Sequence, residues 1–228
     1  MLRTPSHRPG SLWPLLLLVA VPLPAMAAQT QAWRIGVGGD LPTGFLGALS
    51  IYGLPHEAIL DSEMTSTDGL SQFQIVILSR PSYSVPEVTA AVEQYVRSGG
   101  CAVYEYPCVP SEAMIPGRRI PPQKGPDMLY EAGNPVTAGL TDAVLPTGRA
   151  GGNDLTSIIP TDPQVKVLAR YTDEGAKPER KGKFLDAGKG APAIIMAHYG
   201  RGTVVWSGVR LSICAAFDDN RNIAPFIA

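Results

Sequence analysis

Residues 73–106 read FQIVILSRPSYSVPEVTAAVEQYVRSGGCAVYEY, and the fold is decided here. The run Ile75–Leu78 is apolar without interruption, as suits a strand covered on both faces in a parallel sheet. Ser84, Val85, Pro86 and Glu87 then read as a helix start, with Ser84 as cap, Pro86 in the first turn and Glu87 three residues after the cap. Val88, Ala91, Val92 and Tyr95 recur at helical spacing to about Arg97. Gly99 and Gly100 stop the helix before a new strand over 101–106. Strand, helix and strand in this order call for parallel pairing through a right-handed crossover.

Upstream, residues 32–37 form a short apolar run that closes on Gly38, Gly39 and Asp40, the pattern of a first strand ending in a tight turn. A helix follows, with Pro42 in its first turn, Phe45, Leu46, Leu49, Ile51 and Tyr52 on its apolar face, and Gly53 as its left-handed end. A second strand is expected over 56–60. Downstream, residues 107–124 are rich in proline and lack periodicity, which predicts a long loop. Strands are expected over 165–171, 193–198 and 203–209, the last two joined as a hairpin by Tyr199, Gly200, Arg201 and Gly202. The charged stretch 177–183 reads as an exposed loop.

Of the 228 residues 45% are hydrophobic and 17% charged, which excludes both a disordered chain and a multispan membrane protein. Lys and Arg number 19 against 20 Asp and Glu, a balance without the basic surface that a nucleic-acid partner demands. Arg3 and Arg8, the apolar run 12–23 and the small-x-small site Ala25, Met26, Ala27 read as a signal peptide over 1–27. That run is about twelve residues, short of the roughly 20 of a spanning helix, so no stable membrane anchor is expected. The expectation is one domain over 28–228, exported to the periplasm or beyond. Loss of Arg3 and Arg8 leaves 17 basic against 20 acidic residues, a mildly acidic mature chain.

Four strings carry a family resemblance: FQIVIL at 73–78, YVRSGGCAV at 95–103, GNPVTAGL at 133–140 and YGRGTVV at 199–205. Their order and spacing resemble class I glutamine amidotransferase-like domains, in the ThuA-like branch. The resemblance implies a flavodoxin-like α/β fold: a mostly parallel sheet with helices on both faces, an antiparallel hairpin near the C-terminus, and any site at the carboxyl ends of the parallel strands. It also implies a nucleophilic Cys on the turn after the strand that follows the glycine pair, with His and Glu after the last strand. The matching turn is Glu105, Tyr106, Pro107, Cys108 and Val109.

This chain departs from that pattern. The position of the base reads Trp206, Ser207, Gly208, Val209 and Arg210, none of which accepts a proton at neutral pH. His198 and His56, the imidazoles left after signal cleavage, fall by topology at the opposite edge of the sheet. Pro107 supplies no N–H, and Val109 is β-branched beside a turn that wants small residues. The expected function is therefore a non-catalytic domain that binds a small polar or carbohydrate ligand or a protein partner. The alternative is a hydrolase of an amide or glycoside-related substrate using Cys108 or Glu105. Gly38, Gly39, Asp40, Arg80, Tyr106 and Ser207 are the pocket candidates. Tyr83 stands beside Arg80 for an anion or a sugar ring.

Cys101 and Cys108 lie seven residues apart along a strand, more than ~20 Å at about 3.3 Å per residue, and cannot bridge. Cys214 falls at the same edge as Cys108, so a Cys108–Cys214 disulfide is expected, with Cys101 a buried strand residue. No pair of His or Cys has ligand spacing for a metal, and Gly38, Gly39 and Asp40 lack the dinucleotide fingerprint, so neither metal nor cofactor is expected. Trp33 and Trp206 are read as core.

Overall fold

The computed structural model describes residues 34–39, 43–124, 127–131, 144–145, 154–172, 185–186 and 189–212. All belong to one compact unit, Ala32–Ala228. The first half alternates β1 (Ile35–Gly38), α1 (Thr43–Ile51), β2 (His56–Ala58), α2 (Asp61–Met64), α3 (Thr67–Ser71), β3 (Ile75–Leu78), a 3-10 turn over Pro81–Ser84, α4 (Pro86–Arg97) and β4 (Cys101–Glu105). The elements described in the second half are strands. They are β5 (Gly117–Lys124), β6 (Asp127–Tyr130), β7 (Val144–Leu145), β8 (Asp154–Pro160), β9 (Lys166–Thr172), β10 (Leu185–Asp186), β11 (Lys189–Gly190), β12 (Pro192–Tyr199) and β13 (Gly202–Ser207).

The main sheet runs β2-β1-β3-β4-β13-β12-β9-β6-β7. Its first five strands are parallel in the flavodoxin order. From β13 onward the pairings are antiparallel, so the expected β12–β13 hairpin is the start of a longer extension through β9, β6 and β7. The central strands are covered on both faces. Val76 and Leu78 of β3 join Ala102, Tyr104, Trp206 and the α4 residues Val92 and Val96 in one core cluster. Ile77 points the other way and joins Val37, Phe45, Leu49 and Ile194 in the second. An uninterrupted apolar run is what this period-two alternation between two cores requires. No helix among the described residues is long and apolar enough to cross a membrane.

Gly99 and Gly100 end α4 as expected. Gly99 takes φ +119°, Gly100 N–H donates to Tyr95 O at 3.1 Å, and a Cβ on Gly100 would meet the Tyr95 ring at 2.2 Å. Ser84 is not the cap of this helix. The 3-10 turn moves the start one residue on, so Val85 holds the cap position and no side chain caps the helix. Ser84 is thereby released for contacts elsewhere.

The proline-rich stretch 107–124 is also not one long loop. Its second part is β5, paired antiparallel with β8 from Gly117↔Pro160 to Lys124↔Asp154. Pairing is irregular between Ile120 and Gln123, where Pro121 and Pro122 cannot donate ladder hydrogen bonds. The β5–β8 ribbon lies over the carboxyl end of β13: Thr156 N–H donates to Gly208 O at 3.1 Å, and Tyr171 Oη donates to Thr156 O at 2.8 Å. Only glycine allows this approach, since a Cβ on Gly208 would stand 2.0 Å from Thr156 O. Trp33, Asp40, Pro42, residues 133–140, residues 177–183 and Cys214 lie outside the described residues.

Candidate functional site

Parallel strands β1, β3, β4 and β13 end at one edge, and the loops that leave them bring the predicted residues together. Between β1 and β3, where the strand order reverses, an open α/β sheet normally keeps a ligand crevice. Here the residues after β3 pack back onto β1. The Tyr83 ring packs on Gly38, 3.0 Å from where a Cβ would sit. Its hydroxyl donates to Asp61 Oδ1 at 2.9 Å. Arg80 lies 5.5 Å over the same ring and pairs with Asp61 at 2.9 Å. Gly38 and Arg80 are thus parts of a packed cluster. Gly39 stands against Ser79 behind it.

At the end of β4, Cys108 is fully buried and its thiol is free. Ser84 Oγ donates to Cys108 Sγ at 3.7 Å and accepts from Val109 N–H at 3.2 Å. Trp206 Nε1 donates to Cys108 O at 3.3 Å. Burial pushes the thiol up to about 12, against the small opposing effects of Ser84 and the Val109 N–H, so it is protonated at neutral pH. The expected disulfide to Cys214 is not seen, Cys214 being outside the described residues. Cys101 is half-buried rather than fully buried, and desolvation raises it to about 11.

Strand register places the imidazoles. His198 pairs with Thr203, which pairs with Cys101, while His56 pairs with Ile35, which pairs with Ile75. Both stand at the amino ends of the parallel strands, whereas Cys108 lies beyond the carboxyl end of β4. His7 lies outside the described residues. Among the described residues, no three His, Cys, Asp or Glu side chains stand together as a metal site.

Glu105, the last residue of β4, is 2% exposed. It accepts Ser212 N–H at 2.9 Å and Ser212 Oγ–H at 2.5 Å. Burial raises it from 4.5 to about 7, the Ser212 bonds and the Arg210 charge holding it below a still higher value. Ser207 is buried too, its hydroxyl bridging Val209 N–H and O within its own turn. Neither lines the two cavities beneath the ribbon.

Open space lies beside these groups, under the ribbon. A cavity of about 280 Å³ is lined by Tyr106, Val109, Arg119, Ile120, Thr156, Ile158 and Trp206. A wider cleft of about 690 Å³ shares Val109 and Arg119 with it and adds Ser84, Thr89, Glu93 and Ser111. Of the predicted pocket residues that are described, only Tyr106 reaches this space. Arg119 of β5 and Thr156 and Ile158 of β8 come to the site only through the ribbon, which the expected loop over 107–124 does not contain. The run Leu155, Thr156, Ser157, Ile158, Ile159 carries the one strand signal that would have exposed the ribbon.

The thiol geometry has a direct consequence. In native protein at pH 7.5, iodoacetamide is expected to leave Cys108 unmodified, and to modify it fully once urea exposes it, as read by peptide mapping. Modification of native Cys108 at the rate of a free thiol would contradict the burial.

Strand order and edge define a flavodoxin-like α/β protein. No protein-family model and no curated protein matches the chain. Among solved structures it is similar to a protein from Bacteroides uniformis described as ThuA-like, with TM-score 0.56 and 14% identity over 89% of this chain and 91% of that one. It is also similar to a cytoplasmic protein from Salmonella typhimurium, with TM-score 0.51 and 11% identity over 77% and 86%. An alpha-L-fucosidase isoenzyme from Paenibacillus thiaminolyticus aligns with TM-score 0.58 and 12% identity over 86% of this chain, which spans 32% of the fucosidase. At these identities the likenesses show a shared fold.

Proposed function

We propose that this chain is an exported amidotransferase-like domain of the ThuA-like kind whose triad is degenerate, and that it binds a small polar or carbohydrate ligand, or a protein partner, without catalysis. One observation carries the reading. The residue in the nucleophile position, Cys108, is a sealed, protonated thiol, and both described imidazoles stand at the far edge of the sheet. Thiol catalysis needs a base in hydrogen-bond reach of the sulfur. The occurrence of the fold within a fucosidase and as a ThuA-like protein is in keeping with a role near carbohydrate.

The alternative, a hydrolase using Cys108 or Glu105, has one observation in its favour: Glu105 is raised to about 7, where a general acid works well at neutral pH. Against it stand its burial and the two bonds from Ser212, which engage both carboxyl oxygens within the protein.

Purified protein incubated with glutamine should release ammonia no faster than a Cys108→Ala variant does. Turnover that disappears in the variant would make Cys108 a nucleophile and end the non-catalytic reading. A thermal-shift screen of sugars and small polar metabolites then identifies the ligand, since a compound that binds only the native state raises the midpoint.

A further inference from the structure

We infer that the cavity under the β5–β8 ribbon is a site for a small monocarboxylate carrying a flat apolar body, with Arg119 holding the carboxylate and the Tyr106–Trp206 cavity holding the body. This deepens the binding reading above by giving the ligand a chemical class and the site an anchor.

The small cavity is almost wholly apolar in chemistry. Val109, Ile120 and Ile158 line it together with the rings of Tyr106 and Trp206. Its polar groups are largely spent on the protein: Trp206 Nε1–H goes to Cys108 O, and Thr156 Oγ–H goes to Ile120 O at 2.5 Å. Arg119 is the single charged residue of the lining, and it belongs to both cavities, so it stands where they adjoin. One Nη2–H donates to Pro110 O at 2.8 Å. That bond fixes the side chain and leaves the other guanidinium donors for a ligand. Arginine presents those donors in a planar fork that matches a carboxylate with two parallel bonds. Tyr106 also lines the cavity, and its hydroxyl has no hydrogen-bond partner among the described residues.

Charge and size narrow the class. Glu93 lines the wider cleft, where it accepts from Ser111 Oγ. A fixed carboxylate there repels a second negative charge on the ligand, which favours a monoanion over phosphate. Volumes of about 280 and 690 Å³ are of the order found for small-molecule sites, roughly 300–1,000 Å³. Aromatic walls with one convergent cation suit a ring-bearing acid better than a bare sugar, whose hydroxyls would meet apolar side chains in the smaller cavity.

The test titrates the full chain with phenylacetate and indole-3-acetate, using calorimetry and thermal shift, beside phenylacetamide, inorganic phosphate and glucose. The aryl carboxylates should bind, and the neutral amide should bind about tenfold or more weaker, because it loses the charge-assisted pair. Arg119→Gln should weaken the acids to the level of the amide while lowering the thermal midpoint of the free protein by only a few degrees, through loss of the bond to Pro110 O. Arg119→Lys should retain part of the affinity. Absence of binding by both acids at 10 mM (order of magnitude for the weakest useful site), or equal binding by parent and Arg119→Gln, would overturn the assignment. Glucose binding that Arg119→Gln leaves intact would also overturn it while sparing the broader binding reading. Failure of every screened ligand would count against both.

Discussion

Replacing Trp206 with alanine should lower the unfolding free energy by about 3–5 kcal/mol, the range seen when large aromatic side chains are deleted from packed cores. Trp206 is 1% exposed and lies in β13, in register with Tyr104 of β4 on one side and Ile195 of β12 on the other. It stands where the parallel half of the sheet meets the antiparallel half, so both lose packing when the ring goes. Its indole N–H also satisfies the carbonyl of buried Cys108, which the variant leaves without that donor. For a domain of this size the midpoint should fall by roughly 6–20 °C, at about 2–4 °C per kcal/mol. Trp206→Phe keeps much of the ring and loses the N–H, so its destabilisation should be intermediate. Urea unfolding checks this: the midpoint should drop with the slope unchanged. A loss below about 1 kcal/mol for Trp206→Ala would mean that the site collapses freely and that the two halves are not keyed there.

Stability should also depend on pH through Glu105. Burial raises this carboxyl from 4.5 to about 7, so the folded protein keeps a proton that the unfolded chain releases. The contribution is fully present below pH about 4.5 and is lost as pH rises toward 7, the direction opposite to that of an ion-paired surface carboxylate. Over that window the loss is of the order of 3 kcal/mol, from about 1.4 kcal/mol for each tenfold change in proton affinity. Glu105→Gln, which holds the neutral shape and can still accept from Ser212, should abolish this part of the slope and be more stable than the parent at pH 8. Glu105→Ala should be less stable at all pH values, because Ser212 N–H then lies buried without its acceptor. Thermal midpoints from pH 4.5 to 8 for the parent and the Gln variant decide it; parallel curves would show that Glu105 ionises freely in the fold.

Local chemistry carried the first half of the fold into view. Ile75–Leu78 is apolar throughout because β3 feeds two cores in alternation, and Gly99 and Gly100 stop α4 because the chain there needs a positive φ and no Cβ beside Tyr95. The opposite-edge placement of His56 and His198 was likewise legible, since in a parallel sheet the edge on which a residue falls follows from its position in its own strand. Sequence by itself therefore determined the parallel flavodoxin-like half, its hairpin, and which edge carries Cys108. Tertiary structure decided the rest. The β5–β8 ribbon pairs residues 30 to 43 positions apart, and the prolines of β5 hide that strand from local patterning even though β8 carries a strand signal of its own. Ser84 gave up the helix for Cys108 because a 3-10 turn shifted the start of α4 by one residue. Tyr83 packs on Gly38 and bonds Asp61 at the end of β1, and Arg119 comes to the cavity from a segment that the sequence pattern makes a loop. These are contacts across long sequence separations, set by which surfaces bury one another, and short-range patterning holds no record of them.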